Sequence, residues 1–136
     1  MTFDRIRVEV TAVEHNLKRQ LFQLNEQLIQ VNQEAHEQFV NRTHSEGYEM
    51  DFHGKVKPFA DNVLVLVNQW KPLVKLWIQS EHLKYIYIKQ ADDTYDNLTI
   101  ISVTCFQKDT RRRRFLETIK SIDYVLQAIK EQLPDN

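Results

Sequence analysis

Asn97-Leu-Thr-Ile-Ile-Ser-Val-Thr-Cys-Phe106 is the stretch on which the fold turns. Thr99, Ile100, Ile101, Val103 and Thr104 are β-branched, and intrinsic propensity alone reads them as a strand. Spacing reads differently. Ala91, Tyr95, Leu98, Ser102 and Cys105, with Ile101 beside them, recur at helical intervals. A lone strand among helices would also lack a partner for its backbone ladder. Packing overrides a weak propensity, so the spacing predicts a helix from about Gln90 to Gln107.

Its neighbours are less ambiguous. Downstream, Phe115, Ile119, Ile122, Leu126, Ile129 and Leu133 alternate steps of four and three, a clean core stripe. Asp109 or Thr110 is the expected cap, and Pro134 lies just beyond the end. Upstream, a second helix is predicted from about Asp51 to Ser80, with Phe52, Val56, Phe59, Val63, Leu66, Trp70, Leu73 and Trp77 inward. Pro58 and Pro72 fall inside it; each removes an amide donor and crowds the preceding turn, which predicts kinks or a break. Glu81 to Lys89 reads as a connector, although Tyr85 to Ile88 has strand propensity. The first helix carries Val10, Val13, Leu17, Leu21, Leu24, Leu28, Val31, Ala35 and Phe39, with Thr11 and Glu14 as a capping box. Ile6, Val8 and Val10 alternate, which leaves two readings for residues 1–10, an extended arm or an extra helical turn. Polar Asn41 to Asp51, with Gly47 inside, is a loop. Four helices with short connections in a single domain, residues 1–136, predict an all-α, up-and-down four-helix bundle with a proline-kinked second helix.

Composition agrees. The 136 residues are 42% hydrophobic and 27% charged with net charge −1, an ordinary globular balance. Two glycines and three prolines suit few, long elements. Cys105 is the single cysteine, so there is no internal disulfide. Charged Asp4, Arg5, Arg7 and Glu9 precede no apolar signal segment, and the longest apolar run, Val63 to Val67, is too short to span a membrane. The expectation is a cytoplasmic protein without membrane association.

The chain also resembles a known family. Lys57-Pro58, Lys84-Tyr85-Ile86, Gln90, Asp96-Asn97-Leu98 and Arg114-Phe115, followed by the Ile119–Leu133 helix, carry the likeness. It is similar to the YppE-like family of small uncharacterised proteins from Gram-positive bacteria, over roughly residues 20–133. Residues 1–15 look like an extension beyond the family's start. The resemblance implies a four-helix up-and-down bundle and brings no activity, so no site residue is carried over.

Candidate sites come from the residues themselves. Arg111, Arg112, Arg113 and Arg114 form a candidate anion-binding run. Successive helical residues are rotated by about 100°, so only two of the four can share a face. The plainer reading, a solvated helix start paired with Asp109 and Glu117, outweighs phosphate or nucleic-acid binding; an acidic protein partner is a third reading. His15, His36, His44, His53 and His82 were each weighed as metal ligands. None has Glu or Asp three residues before it, which a carboxylate-bridged bundle site needs. His44, Glu46, Glu49, Asp51 and His53 read as a polar loop. Cys105 sits in an apolar helix without an adjacent His and reads as a buried small residue. Two glycines leave no phosphate-cradling loop. No catalytic residue, metal site or cofactor is expected.

The second helix carries more apolar surface than one inward face requires: Leu64, Val65, Leu76 and Ile78 lie beyond its stripe. They are a candidate interface, to be covered by the N-terminal arm, by a second subunit in a homodimer, or by a partner. The leading expectation is a non-catalytic protein-interaction or accessory bundle with a protein partner the sequence does not name. The alternative is weak nucleic-acid or phospholigand binding through Arg111 to Arg114, with nucleic acid the less favoured ligand.

Overall fold

The structure, a computed structural model, describes the backbone of residues 2–133 and the side chains of residues 12–133. It has four α-helices: α1 (Thr2–Glu37), α2 (Lys57–Ser80), α3 (Ile88–Thr104) and α4 (Arg112–Gln132). There is no strand among the described residues. The helices pack in a closed ring, α1 on α2, α2 on α3, α3 on α4 and α4 back on α1. Leu21, Leu28, Trp70, Val74, Leu98, Ile122 and Leu126 fill its centre and are fully buried.

The Asn97–Phe106 stretch is helical to Thr104, and packing explains why. Leu98, Ile101, Ser102 and Cys105 face the core together, which only helical spacing allows. The threonines adapt: Thr99 donates its hydroxyl to the Tyr95 carbonyl at 2.9 Å and Thr104 to that of Ile100 at 3.1 Å. The stripe of α4 is buried at every predicted position, from Phe115 to Leu133. That of α1 is buried from Leu21 to Phe39 but not at Val13, which is 66% exposed.

Several boundaries differ from the sequence reading. α1 already runs from Thr2, so Thr11 and Glu14 lie within a helix rather than at its start, and the first residues are helical turns rather than an extended arm. The side chains of Ile6, Val8 and Val10 lie outside the described residues. Neither Asp109 nor Thr110 caps α4: Arg111 occupies the cap position and gives no side-chain hydrogen bond to the helix. Thr110 instead donates its hydroxyl to the Thr104 carbonyl at 2.8 Å, closing the turn between α3 and α4. Pro58 is not in the interior of α2 but in its first turn, where proline's fixed φ suits the helix. α2 continues unbroken past Pro72. Tyr85 to Tyr87 form no strand; Tyr85 has φ of 64°, Ile86 is buried, and Tyr87 donates its amide to the Gln90 side chain at 2.8 Å as α3 begins. Pro134 lies outside the described residues.

The seams are held by specific polar contacts. Asn25 of α1 donates to the Leu126 carbonyl of α4 at 2.9 Å, and Asn32, two turns on, donates to the Ile119 carbonyl at 3.0 Å. Trp70 of α2 donates its indole N–H to the Asn25 carbonyl oxygen at 3.2 Å. Lys18 of α1 pairs with Glu81 at the end of α2. Lys71 and Lys75 of α2 reach Asp92 of α3 at 3.2 and 2.6 Å, and Tyr95 donates to Asn68 at 2.7 Å.

One end of the molecule is built differently. Two wider, π-helical turns, Gln38–Thr43 and Phe52–Val56, flank the loop between α1 and α2. Thr43 donates to the Cys105 carbonyl at 2.6 Å and Tyr48 to that of Phe106 at 2.7 Å, so this loop is pinned to the end of α3. Gly47 turns the loop with φ of +77°.

Candidate interaction groove

The arginine run sits at that same end, where α3 hands over to α4. Phe115 fixes its position: the ring is buried, with its centroid 4.2 Å from that of Phe39. The four arginines then diverge, as helical rotation requires. Arg113 turns to Glu117, with Nε 3.2 Å from its carboxylate. Arg112 is exposed. Arg111 and Arg114, three residues apart, line one groove of about 280 Å³ between α3 and α4. Its floor is Ile101 and Phe115; Ile100, 56% exposed, forms its apolar rim. The paired, solvated reading thus holds for Arg113, whereas Arg111 and Arg114 have no carboxylate partner among the described residues.

The chemistry of the groove follows from its donors. Thr104, Thr110 and Thr118 all line it, and all commit their hydroxyl protons to backbone carbonyls, at 3.1, 2.8 and 2.9 Å. They therefore offer a ligand only acceptor lone pairs. Positive charge comes from two guanidinium groups and from the amide end of α4, which no side chain caps. A carboxylate with an apolar neighbour matches this mixture better than a bare, fully charged phosphate, which gains nothing from Ile100.

The candidate interface residues on α2 differ in exposure and place. Leu64, Val65 and Leu76 are exposed, but Ile78 is half-buried and packs against the core. Helical rotation sets Leu64 about 100° away from Val65. Leu76 lines a separate pocket of about 250 Å³ with Leu17 and Trp77, near the opposite end of the molecule.

The remaining candidates disperse. His44 packs edge-on against Phe39 at 4.7 Å, and Asp51 accepts the Gly54 amide at 2.9 Å. No three His, Cys, Asp or Glu side chains gather into a metal-holding group among the described residues. Cys105 is fully buried, and burial pushes its thiol up to about 12. That keeps the sulfur protonated and out of reach. No helix among the described residues is long and apolar enough to cross a membrane.

Sequence reasoning missed three features. The Asn25–Asn32 pair carried a signal, two amides seven residues apart beside a core stripe. Ile100 was hidden inside a stretch read mainly for its buried residues. Phe52, read as an inward residue of the second helix, is 53% exposed, and with Met50, 45% exposed, it stands by the acidic loop at the groove's end of the molecule; only the fold brings loop and groove together.

Comparison with known proteins places this geometry. The model of a bacterial domain of unknown function (DUF1798) matches residues 25–133. The uncharacterised protein YppE of Bacillus subtilis is 22% identical over 117 residues, spanning 86% of this chain and 94% of that protein. A protein of unknown function from Listeria innocua has a crystal structure similar to this one, with a TM-score of 0.79 at 24% identity over 86% of this chain and 93% of that one. The crystal structure of YppE gives 0.76 at 21% identity, over 82% and 90%. The resemblance drawn from Lys57-Pro58 through Arg114-Phe115 therefore holds, and the fold is shared with these structures.

Proposed function

The chain belongs to the bacterial DUF1798 family of unknown function, and we propose that it works as a non-catalytic protein-interaction bundle. The observation that carries this reading is the α3–α4 groove: two guanidinium groups with no carboxylate partner among the described residues, beside an exposed isoleucine on a buried apolar floor. Such a surface selects a peptide segment that pairs a carboxylate with an apolar side chain. The bundle is up-and-down. Supporting this, Asn25 and Asn32 meet Leu126 and Ile119 in reversed order, and Leu17–Lys18 lies by Trp77–Glu81 while Asn25 lies by Trp70. Pro72 lies inside α2, and its ring crowding the preceding turn supports the kink expected there. The cytoplasmic location expected from the sequence belongs to the same proposal.

Titration with an acidic peptide carrying one apolar anchor, followed by amide chemical shifts, tests the reading. Shifts centred on Ile100, Arg111 and Arg114, lost in Ile100→Ser, are the expected result. The second reading, phospholigand binding, is favoured by Arg111, Arg112 and Arg114, which have no ion-pair partner among the described residues. It predicts shifts with inorganic phosphate or a short RNA that vanish steeply with salt and survive Ile100→Ser. No shift with the peptide would sink the interaction reading.

A further inference from the structure

We infer that the segment received by the groove is the α1–α2 loop of a second copy of this chain. The inference rests on the interaction reading above and supplies its partner. The loop runs Ser45-Glu46-Gly47-Tyr48-Glu49-Met50-Asp51-Phe52 and has the chemistry the groove selects. Glu46 and Glu49 are exposed and have no ion-pair partner among the described residues. Met50 and Phe52 are exposed apolar side chains set among those acids. The groove offers the complement, Arg111 and Arg114 with Ile100.

Loop and groove also occupy the same end of the molecule. Tyr48 is bonded to the Phe106 carbonyl and Thr43 to that of Cys105, while Thr110 closes the turn that leads into Arg111. Two copies meeting end to end about a two-fold axis would therefore make the same contact twice, each loop on the other's groove. This is the self-complementary geometry of an isologous dimer. Within one chain neither loop carboxylate pairs with an arginine of the run among the described residues, so both partners stay available. The loop is held by its own hydrogen bonds, which lowers the ordering entropy lost on docking.

Sedimentation velocity on the full chain, at concentrations up to about 1 mM, tests this with two charge-reversed variants. One carries Glu46→Lys and Glu49→Lys; the other carries Arg111→Glu and Arg114→Glu. All four positions are exposed, and circular dichroism confirms that each variant folds. The wild type is expected to dimerise, more weakly as salt rises. Each variant alone is expected to be monomeric, since both of its contacts become repulsive. An equimolar mixture should recover a one-to-one dimer, because both contacts in the mixed pair are again attractive. A wild-type dimer that survives both reversals, or a mixture that stays monomeric, would overturn the proposal. A monomeric wild type would overturn it too. An acetylated, amidated peptide of residues 45–53 then separates the two readings: its binding to the groove leaves the interaction reading standing, and its failure removes both.

Discussion

The α1–α4 seam and the π-turn end of the molecule use polar side chains to opposite ends. At the seam, Asn25 and Asn32 are buried and spend their donors on α4 carbonyls. At the other end, Arg111, Arg114, Glu46 and Glu49 are exposed, with no ion-pair partner among the described residues. Buried polar groups must be matched internally, so those at the seam fix how the helices sit. Exposed charges cost little to leave unmatched, so those at the end are free for a partner. Stability and binding should therefore separate cleanly between the two regions.

The largest expected break in that comparison is at Asn25. Asn25→Ala removes the bond to Leu126 and orphans the Trp70 indole N–H, 0% exposed. The expected loss is about 2–3 kcal/mol, after roughly half a kcal/mol returned by alanine's helix propensity. Asn32→Ala should cost less, about 1 kcal/mol, because its carbonyl oxygen has no partner among the described residues to lose. Urea unfolding with unchanged m-values measures both; equal losses would mean that the Trp70 contact contributes nothing.

Cys105 gives the next effect, and its sign follows from linkage. Its folded pKa is raised to about 12 from an ordinary 9.0 because the thiolate cannot be hydrated in the core. The thiol's contribution is intact below pH 9 and is lost as pH rises towards the folded value, by about 1 kcal/mol per pH unit. Comparing wild type with Cys105→Ala between pH 8 and about 10.5 isolates it. Parallel pH profiles would show that the site ionises freely. A smaller effect with the opposite sign belongs to Asp92, whose carboxyl is held below the usual range by hydrogen bonds to Lys75 and Lys71. Its contribution is present above the unfolded pKa and fades as pH falls through the folded one. Asp92→Asn should therefore lower stability near neutrality, and the difference from wild type should vanish as pH falls through the folded pKa.

These regions were unequally legible in the sequence. The α4 stripe could be read because every member is buried by one helix face. α3 could be read only by letting spacing outrank the β-branched composition of Asn97–Phe106. The α4 cap was misread because Asp109 and Thr110 have cap chemistry, yet Thr110 is spent on closing the turn to Thr104. The π-helical turns left no periodic signal, since each inserts its extra residue in a short polar or aromatic stretch. The arginine run was visible, and helical rotation foretold that two would share a face. Which two, and that Ile100 and the acidic loop lie at the same end, depends on contacts between residues about fifty or more positions apart. Of the residues named as surplus, Leu64, Val65 and Leu76 are exposed, whereas Ile78 packs half-buried against the core.

The smallest expected stability effect is the sharpest test of the contrast. Arg111 and Arg114 sit at the amide end of α4, where the helix dipole disfavours positive charge, and neither has a carboxylate partner among the described residues to offset that cost. The Arg111→Ala, Arg114→Ala double variant should therefore unfold within about 0.5 kcal/mol of wild type, relief of the dipole penalty being the stabilising part. The apolar stems still cover part of the Phe115 and Ile101 floor, so a small packing loss works the other way. Binding of the acidic-apolar peptide should be lost in the same variant. Thermal unfolding at two salt concentrations distinguishes the terms: the dipole penalty shrinks as salt rises, whereas lost packing does not. A loss of 2 kcal/mol or more, beyond the surface-substitution range, would mean that the guanidinium groups are structural and that the groove is part of the core.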